Sequence, residues 1–326
     1  MNAIVTAIGG ENSVSGAARF EKDVLSMRPD VIFIDYALND RGQNAAQVET
    51  SWRSMITTAK NAGVPVILCT PTQMHASQTL ACLPTARKDG LKGGVKYWDG
   101  QFNDAKLALA LARSAALESA LLLNYMQATS LLYSDKKVSG VRCQDTLTGA
   151  AHDIQARCVV NATGVWVDAL RAQDGDVQAM VAPSQGVHIV VDKKFLPGHA
   201  GLMIPKTADG RVLFAVPWLG KVILGTTDTP RHDLAKEPLA FEEEIDFILN
   251  ESARYLRDAP QRSDVKSIWV GLRPLVKPPE KTGHNTKALS REHTVLVSDS
   301  GLVTVTGGKW TTYRAMAEDV LQKCFD

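Results

Sequence analysis

Two glycine-containing turns in the second half of the chain have the composition of sites that hold a ligand against the backbone. Residues 161–164 (Asn-Ala-Thr-Gly) follow an apolar strand, and small residues there let a ligand approach the main chain closely. Residues 307–308 (Gly-Gly) precede a predicted helix, whose unpaired N–H groups attract anions and polar oxygens, and Lys309 adds positive charge. An ordinary strand-to-helix turn and a capped terminal helix remain the alternatives.

Three further side chains have chemistry that depends on their setting. Arg273 directly follows a predicted strand, and its forked guanidinium suits a phosphate, although an arginine in such a place is more often a surface residue. His188 lies inside an apolar strand, where a single histidine usually belongs to the core. Asp228 closes a Gly-Thr-Thr-Asp segment, a common turn composition. The residues alone leave these alternatives open.

The beginning of the chain invites a dinucleotide-binding interpretation, which its spacing contradicts. Gly9 and Gly10 follow an apolar strand, and Asp35 ends the next strand, where a ribose-binding acid is expected. The fingerprint G-x-G-x-x-G requires glycine at the positions of Glu11 and Val14, and Glu11 places a carboxylate where a pyrophosphate must bind. We therefore predict no dinucleotide site here.

Residues 9–25 and 29–40 resemble the second and third sequence blocks of SGNH-type (GDSL-like) esterases. The resemblance implies that the Gly10 backbone N–H and the Asn39 amide converge on an oxyanion, as two donors at strand ends can do. The family's nucleophilic serine in a G-D-S motif is absent from the sequence, and no Asp stands three residues before any His. An oxyanion hole without nucleophile or base is not a hydrolase, so we predict a structural remnant.

Composition narrows the class of protein. The 326 residues include 36 Lys and Arg against 35 Asp and Glu, so a net charge of +1 creates no field toward nucleic acid or anionic lipid. The five cysteines form no C-x-x-C pair and the seven histidines are scattered, which predicts a reducing compartment and no metal site. The first residues lack the basic flank and apolar core of a secretory signal.

Periodicity predicts two domains. Residues 1–75 are expected to form an α/β fragment, a three-stranded parallel βαβαβ of flavodoxin-like type, with a boundary between 73 and 80. Residues 76–326 are expected to be α+β. Residues 71–94, rich in Pro and Gly, are predicted to be irregular. The predicted helices are 15–27, 48–62, 103–119, 241–256 and 312–323; the predicted strands include 3–8, 31–35, 64–69, 121–125, 187–191, 268–272 and 294–306.

From about residue 79 to residue 324 the chain resembles the FAD-dependent glycerol-3-phosphate dehydrogenases. Several motifs in one order carry the resemblance, which makes it more specific than any single motif. They are residues 91–104 (LKGGVKYWDGQFND), 159–167 (VVNATGVWV), 186–191 (GVHIVV), 216–228 (VPWLGKVILGTTD), 271–275 (GLRPL) and 306–314 (TGGKWTTYR).

The resemblance implies a DAO-like FAD-dependent oxidoreductase fold that oxidises glycerol 3-phosphate to dihydroxyacetone phosphate. Hydride passes to the flavin and electrons to quinone, which implies a cytoplasmic protein with peripheral contact at the inner membrane face. His188 or a neighbour takes the hydroxyl proton, and which residue is the base stays open. The implied catalytic residues are His188, Asp228, Arg273 and Lys309. The implied FAD-binding residues are Asn161, Ala162, Thr163, Gly164, Gly307, Gly308, Lys309, Trp310 and Thr311.

The sequence departs from that family at its start. The family begins with a strand–G-x-G-x-x-G–helix that holds the FAD pyrophosphate, and residues 1–72 carry the esterase-like segment in its place. We therefore expect an N-terminally truncated chimera with weak or absent FAD binding. The alternatives to an impaired dehydrogenase are an SGNH-type esterase and a non-catalytic binding or structural protein.

Overall fold

The computed structural model describes residues 11–36, 39–69, 72–175, 178–204, 207–277 and 293–325. Contacts divide the chain into two compact units, each of which is described by itself. The first unit comprises the described residues up to Thr79 together with Lys92–Phe102 and Trp310–Ala315. The second comprises Leu80–Leu91, Asn103–Lys309 and Met316–Asp326, within the described ranges.

The first unit contains a parallel strand pair joined by a helix. Strand β1 pairs in parallel with β2, and the intervening α2 begins where the Asn44 side chain accepts hydrogen bonds from two backbone N–H groups. The first predicted strand, residues 3–8, lies outside the described residues. The elements are α1 (Ser13–Asp23), β1 (Ile32–Ile34), α2 (Ala45–Asn61), β2 (Val66–Leu68), β3 (Thr72–His75), α3 (Ala76–Cys82) and β4 (Gly93–Lys96), of which α3 continues into the second unit.

The prediction of an irregular segment over residues 71–94 is wrong in part. Strands β3 and β4 pair in antiparallel orientation, and α3 lies in the chain segment that connects them. A side chain on Gly93 would place its Cβ 2.4 Å from the Met74 carbonyl oxygen, and one on Gly94 would meet Thr79 at 3.0 Å. These glycines therefore permit close strand pairing, whereas their composition indicated a loop.

The second unit contains three further helices, most of the strands and the end of the chain. The predicted strand 121–125 is absent there, because Tyr125 adopts a positive φ of 59° in a turn before β5. The helices are α4 (Asp104–Leu117), α5 (Val167–Asp174), α6 (Glu242–Tyr255) and, shared with the first unit, α7 (Tyr313–Phe325). The strands are β5 (Met126–Ser134), β6 (Lys137–Asp145), β7 (Ala151–Gln155), β8 (Val160–Asn161), β9 (Val181–Asp192), β10 (Leu202–Ile204), β11 (Leu213–Trp218), β12 (Lys221–Gly225), β13 (Thr229–Pro230), β14 (Ser267–Val276), β15 (His293–Val297) and β16 (Val303–Gly307).

The largest sheet of the described chain is antiparallel and centred on β9. Its order is β10-β11-β12-β9-β13, and β14 also pairs with β9 along ten residue pairs. Alternate residues of β9, Val187, Ile189 and Val191, are fully buried in one core with Ile245 and Ile248 of α6. Because side chains alternate across a strand, the residues between them must face the other side of the sheet.

A second, smaller sheet brings two chain segments to one edge. Its order is β15-β16-β8, and β16 runs parallel to β8. The turns that follow β8 and β16 therefore leave from the same end of the sheet, where ligands of parallel sheets commonly bind. Strand β14 contacts β16 and the short helical turn Gly164–Trp166, which links this edge to the larger sheet. Among the described residues, no helix has the length and hydropathy to cross a bilayer.

Candidate active site

The face of the paired strands β9 and β14 that points away from the core carries two of the predicted catalytic residues, His188 and Arg273. Ser184, Gly186 and His188 alternate along β9, and β14 places Arg273 opposite Ser184 and Trp269 opposite His188. The Trp269 and His188 rings lie with centroids 5.6 Å apart in an edge-to-face arrangement. The strand register thus brings an imidazole, an indole and a guanidinium to one surface.

Two glycines make room for the two chemically active side chains. A Cβ on Gly186 would lie 2.0 Å from Nη2 of Arg273, so the guanidinium occupies the space above that glycine. A Cβ on Gly225, which pairs with His188 on β12, would lie 2.5 Å from the imidazole Cδ2. Neither arrangement tolerates a larger residue without displacement of the side chain it holds.

The segment after β12 fixes the guanidinium. Arg273 donates through Nη1 to the Thr227 carbonyl oxygen at 3.1 Å and through Nη2 to the Thr226 hydroxyl at 2.7 Å. The next residue, Asp228, accepts a hydrogen bond from the buried hydroxyl of Ser184. The structure therefore brings Arg273, Asp228 and His188, three of the predicted catalytic residues, into one cluster.

A buried carboxylate stabilises this segment from the other side of the sheet. Glu244 of α6 accepts hydrogen bonds from the Thr227 hydroxyl at 2.9 Å, the Thr229 hydroxyl at 2.6 Å, Gln185 Nε2 at 2.6 Å and the Phe241 N–H at 3.0 Å. The Thr227 hydroxyl also accepts from the Val187 N–H at 3.0 Å. One carboxylate thus joins β9, α6 and the loop that positions Arg273.

The electrostatic setting keeps His188 neutral. Burial, reinforced by the positive charge of Arg273, lowers the pKa of His188 from 6.5 to about 4. At neutral pH the imidazole is therefore unprotonated and has a lone pair that can accept a proton.

The lowered pKa of His188 makes the stability of the fold depend on pH. Because the native pKa lies below the unfolded value, the unfolded state binds more protons, and the contribution of His188 to stability is lost as pH falls from about 6.5 to about 4. Histidine-selective NMR should show His188 titrating near 4, with the resonance assigned by its loss in His188→Gln. Replacement of Arg273 by Gln should raise that pKa, and an unchanged value would contradict the contribution assigned to Arg273.

The first glycine-containing turn is shaped by the side chain of Asn161. Its buried amide donates to the Val167 carbonyl oxygen at 2.9 Å, and its Oδ1 accepts from the Thr163 hydroxyl at 2.8 Å. Gly164 adopts a positive φ of 64°, with open space where a Cβ would stand, whereas Ala162 and Thr163 are exposed. The Asn161 side chain holds the turn, and its neighbours present backbone to the sheet edge.

The second turn has the donor set that a polar cofactor requires. Gly307 and Gly308 both adopt positive φ, at 80° and 73°, and Lys309 beside them is exposed. The Thr306 hydroxyl is buried and has no hydrogen-bond partner among the described residues. This unmet hydroxyl and the half-buried turn beside β8 fit the polar part of a flavin cofactor.

The remaining predicted residues lie in the first unit or outside the description. Trp310 and Thr311 belong to the first unit, in a short 3-10 helix, and the Trp310 ring lies 5.6 Å from Tyr313. Gly10 lies outside the described residues. Asn39 begins a 3-10 helix, and its side chain is outside the description. The oxyanion pair therefore stays a prediction.

Several residues of the cluster were missed by sequence reasoning. Ser184, Trp269 and Glu244 have no motif that separates them from core residues, because their roles depend on strand register and on the packing of α6. Gly186, Thr226 and Thr227 lie inside the motifs that carry the family resemblance. Their proximity to Arg273 became visible only in the fold.

Residues 24–314 match the family described as DAO, FAD dependent oxidoreductase. The chain belongs to this family. The sequence prediction of an FAD-dependent oxidoreductase, a family whose cofactor is FAD, is thereby confirmed. The expected N-terminal truncation and the weak or absent FAD binding of this chain stay predictions. Part of the first unit lies inside the match, since β1 and β2 follow residue 24.

The relatives of this oxidoreductase share a name. The chain is 47% identical over 257 residues to "Glycerol-3-phosphate dehydrogenase, mitochondrial" of Bos taurus, covering 76% of this chain and 35% of that protein. It is 41% identical over 263 residues to the protein of that name from Schizosaccharomyces pombe, with 75% and 40% covered. The chain therefore spans about 35–40% of the length of these relatives.

Solved structures agree on the fold. The glycerol-3-phosphate dehydrogenase of Bacillus halodurans complexed with FAD is 35% identical, with a TM-score of 0.68, covering 78% of this chain and 51% of that chain. The L-alpha-glycerophosphate oxidase of Mycoplasma pneumoniae has a TM-score of 0.63 at 12% identity, covering 97% and 81%, and supports the fold alone.

Proposed function

We propose that this oxidoreductase oxidises glycerol 3-phosphate to dihydroxyacetone phosphate. The observation that carries the proposal is that the Arg273 guanidinium is held on the same face of the sheet as the neutral His188 imidazole. The guanidinium fork matches a phosphate, and the imidazole can accept the proton of a neighbouring hydroxyl. The names of the relatives from Bos taurus and Bacillus halodurans support the same substrate.

The cofactor would be held at the edge where β8 and β16 end in parallel. The turn of Ala162, Thr163 and Gly164 and the turn of Thr306, Gly307 and Gly308 would contact it. Bound FAD supplies the acceptor for the hydride that leaves the substrate carbon. The cofactor-binding roles proposed for Trp310 and Thr311 rest on the sequence resemblance alone.

The remaining residues of the cluster orient the substrate. Asp228, whose carboxylate accepts from Ser184, would orient the substrate through a hydroxyl group. Lys309 would add positive charge beside the glycine turn. His188 would take the hydroxyl proton, and the face of Trp269 opposite it would limit access of water.

We further propose quinone as the final electron acceptor, with peripheral membrane contact, as the resemblance implies. For residues 1–75 we propose an SGNH-related origin without esterase activity. The parallel β1–α2–β2 unit is compatible with that origin, although the family match from residue 24 includes it. Hydrolysis of a short-chain aryl ester above background would contradict the absence of esterase activity.

The test of the dehydrogenase proposal is turnover by the chain itself. Purified protein is incubated with FAD, passed over a desalting column, and scanned for flavin absorbance. Reduction of a dye or a soluble quinone is then measured with glycerol 3-phosphate and, as control, with glycerol. We expect reduction by the phosphorylated substrate only. Equal rates with glycerol, or a protein that stays colourless and inactive with added FAD, would contradict the proposal.

A further inference from the structure

Two cysteines that are distant in sequence meet beside the segment that leads into β8. Cys158 lies two residues before β8, and Cys324 lies in the last turn of α7. Their Sγ atoms are 3.3 Å apart, although 166 positions separate the residues in the chain. Both side chains are half-buried, and both belong to the second unit.

We propose that Cys158 and Cys324 form a dithiol that hydrogen peroxide oxidises to a disulfide, which joins the segment before β8 to the last turn of α7. A disulfide needs an S–S separation of about 2.05 Å, so closure requires the sulfurs to approach by about 1.3 Å. Partial exposure gives a molecule as small as hydrogen peroxide access to them. The pair is therefore a modification site for hydroperoxides.

The chemistry of closure balances with one peroxide. The thiolate of one cysteine attacks a peroxide oxygen; the S–O bond forms as the O–O bond breaks, and hydroxide leaves. The thiolate of the second cysteine then displaces hydroxide from the sulfenic acid and forms the S–S bond. Overall, two thiols and one hydrogen peroxide give one disulfide and two waters.

The location gives closure a structural consequence. Strand β8 leads directly into the turn of Asn161, whereas α7 follows the turn of Gly307 and Gly308. A covalent bond between Cys158 and Cys324 would tie the segment that precedes β8 to the last turn of α7. The proposal itself concerns the thiols alone and holds whether or not the dehydrogenase assignment is correct.

The setting of Cys158 also predicts how closure depends on pH. Burial, together with the neighbouring Cys324 thiol, raises the pKa of Cys158 to about 11. At neutral pH this sulfur is therefore almost wholly protonated, and the thiolate is the reactive form. We expect the rate of closure to rise several-fold for each unit increase in pH between about 7 and 9.

The experiment maps the cysteines of the whole chain after oxidation. Fully reduced protein is treated with hydrogen peroxide at pH 8, quenched with N-ethylmaleimide, digested without reductant and examined by mass spectrometry. We expect one cross-linked peptide pair, containing Cys158 and Cys324 and lacking two hydrogen atoms. Thermal unfolding of the oxidised protein should occur about 5 °C higher and return to the reduced value with dithiothreitol.

Variants separate this bond from general oxidation. Cys324→Ser should abolish the cross-link, whereas Cys82→Ser, which keeps the pair, should retain it. If Cys324→Ser does not fold, the peptide map of the unmodified chain still decides. The proposal is overturned if both cysteines remain alkylated after peroxide, if they pair with other cysteines, or if non-reducing gels show only bonds between chains.

Discussion

Replacement of Arg273 by Gln should weaken binding of glycerol 3-phosphate about 100-fold, since a forked, charge-assisted contact with phosphate is worth about 3 kcal/mol. The guanidinium is already held by the Thr227 carbonyl oxygen and the Thr226 hydroxyl, so it reaches the ligand preorganised. Arg273→Lys keeps the positive charge but loses the forked geometry, so its affinity for glycerol 3-phosphate should lie between those of the unmodified chain and Arg273→Gln.

Two measurements separate binding from turnover in this test. The KM for glycerol 3-phosphate is measured by dye reduction after addition of FAD, and inorganic phosphate is titrated by calorimetry without any redox step. Arg262→Gln is the control, because Arg262 is an exposed arginine of the same unit whose partner is the surface residue Glu242. Equal effects of the two substitutions would show that Arg273 acts only through overall charge.

Gly186→Ala should weaken binding of glycerol 3-phosphate as much as Arg273→Gln does, because it displaces the same guanidinium. The new Cβ would stand 2.0 Å from Nη2 of Arg273, so the guanidinium must leave its position. Gly271 of β14 pairs directly with Gly186 of β9, and a Cβ added to Gly271 meets nothing within 4 Å. Gly271→Ala is therefore a closely matched control. Because both changes act on one contact, Gly186→Ala combined with Arg273→Gln should be no worse than Arg273→Gln alone. Additive losses would contradict this explanation.

The sequence predicts the strands that carry this cluster, but it does not predict how those strands are arranged. The apolar runs around His188 and in residues 268–272 predicted strands, because buried strands leave a direct hydrophobic signal. That Arg273 stands opposite Ser184, and Trp269 opposite His188, depends on register, which local sequence does not encode.

The errors have a common physical cause. Residues 93–94 and residues 121–125 were assigned from composition, glycine as loop and leucine as strand. In the fold, Gly93 permits a close approach to the carbonyl of Met74, and the leucines precede a turn at Tyr125. In both cases a tertiary contact or a single backbone dihedral outweighed local preference. Glu244 was missed for a related reason, since three acidic residues begin α6 and only its packing shows which one is buried.

Replacement of Glu244 by Gln should destabilise the protein by about 2 kcal/mol, because an amide offers one acceptor oxygen where the carboxylate offers two. The two threonine hydroxyls donate to Oε1, whereas Gln185 and the Phe241 N–H donate to Oε2, so one pair of donors must face an NH₂ group. The melting temperature should fall by about 5 °C.

A control on the same helix turn isolates the network. Glu243 is exposed and also lies in the first turn of α6, so Glu243→Gln loses the same charge at the helix N-terminus without the buried contacts. We expect Glu243→Gln to change the melting temperature by less than about 1 °C.

The substrate site should respond to Glu244→Gln as well. The Thr227 hydroxyl links Glu244 to the backbone N–H of β9, and the carbonyl oxygen of the same residue accepts from Arg273. Loss of the carboxylate should loosen this residue and raise the KM for glycerol 3-phosphate, although Glu244 lies on the opposite side of the sheet. Because His188, the proposed base, stays in place, kcat should change less than KM. A stability loss with an unchanged KM would confine Glu244 to the core and separate it from the positioning of Arg273.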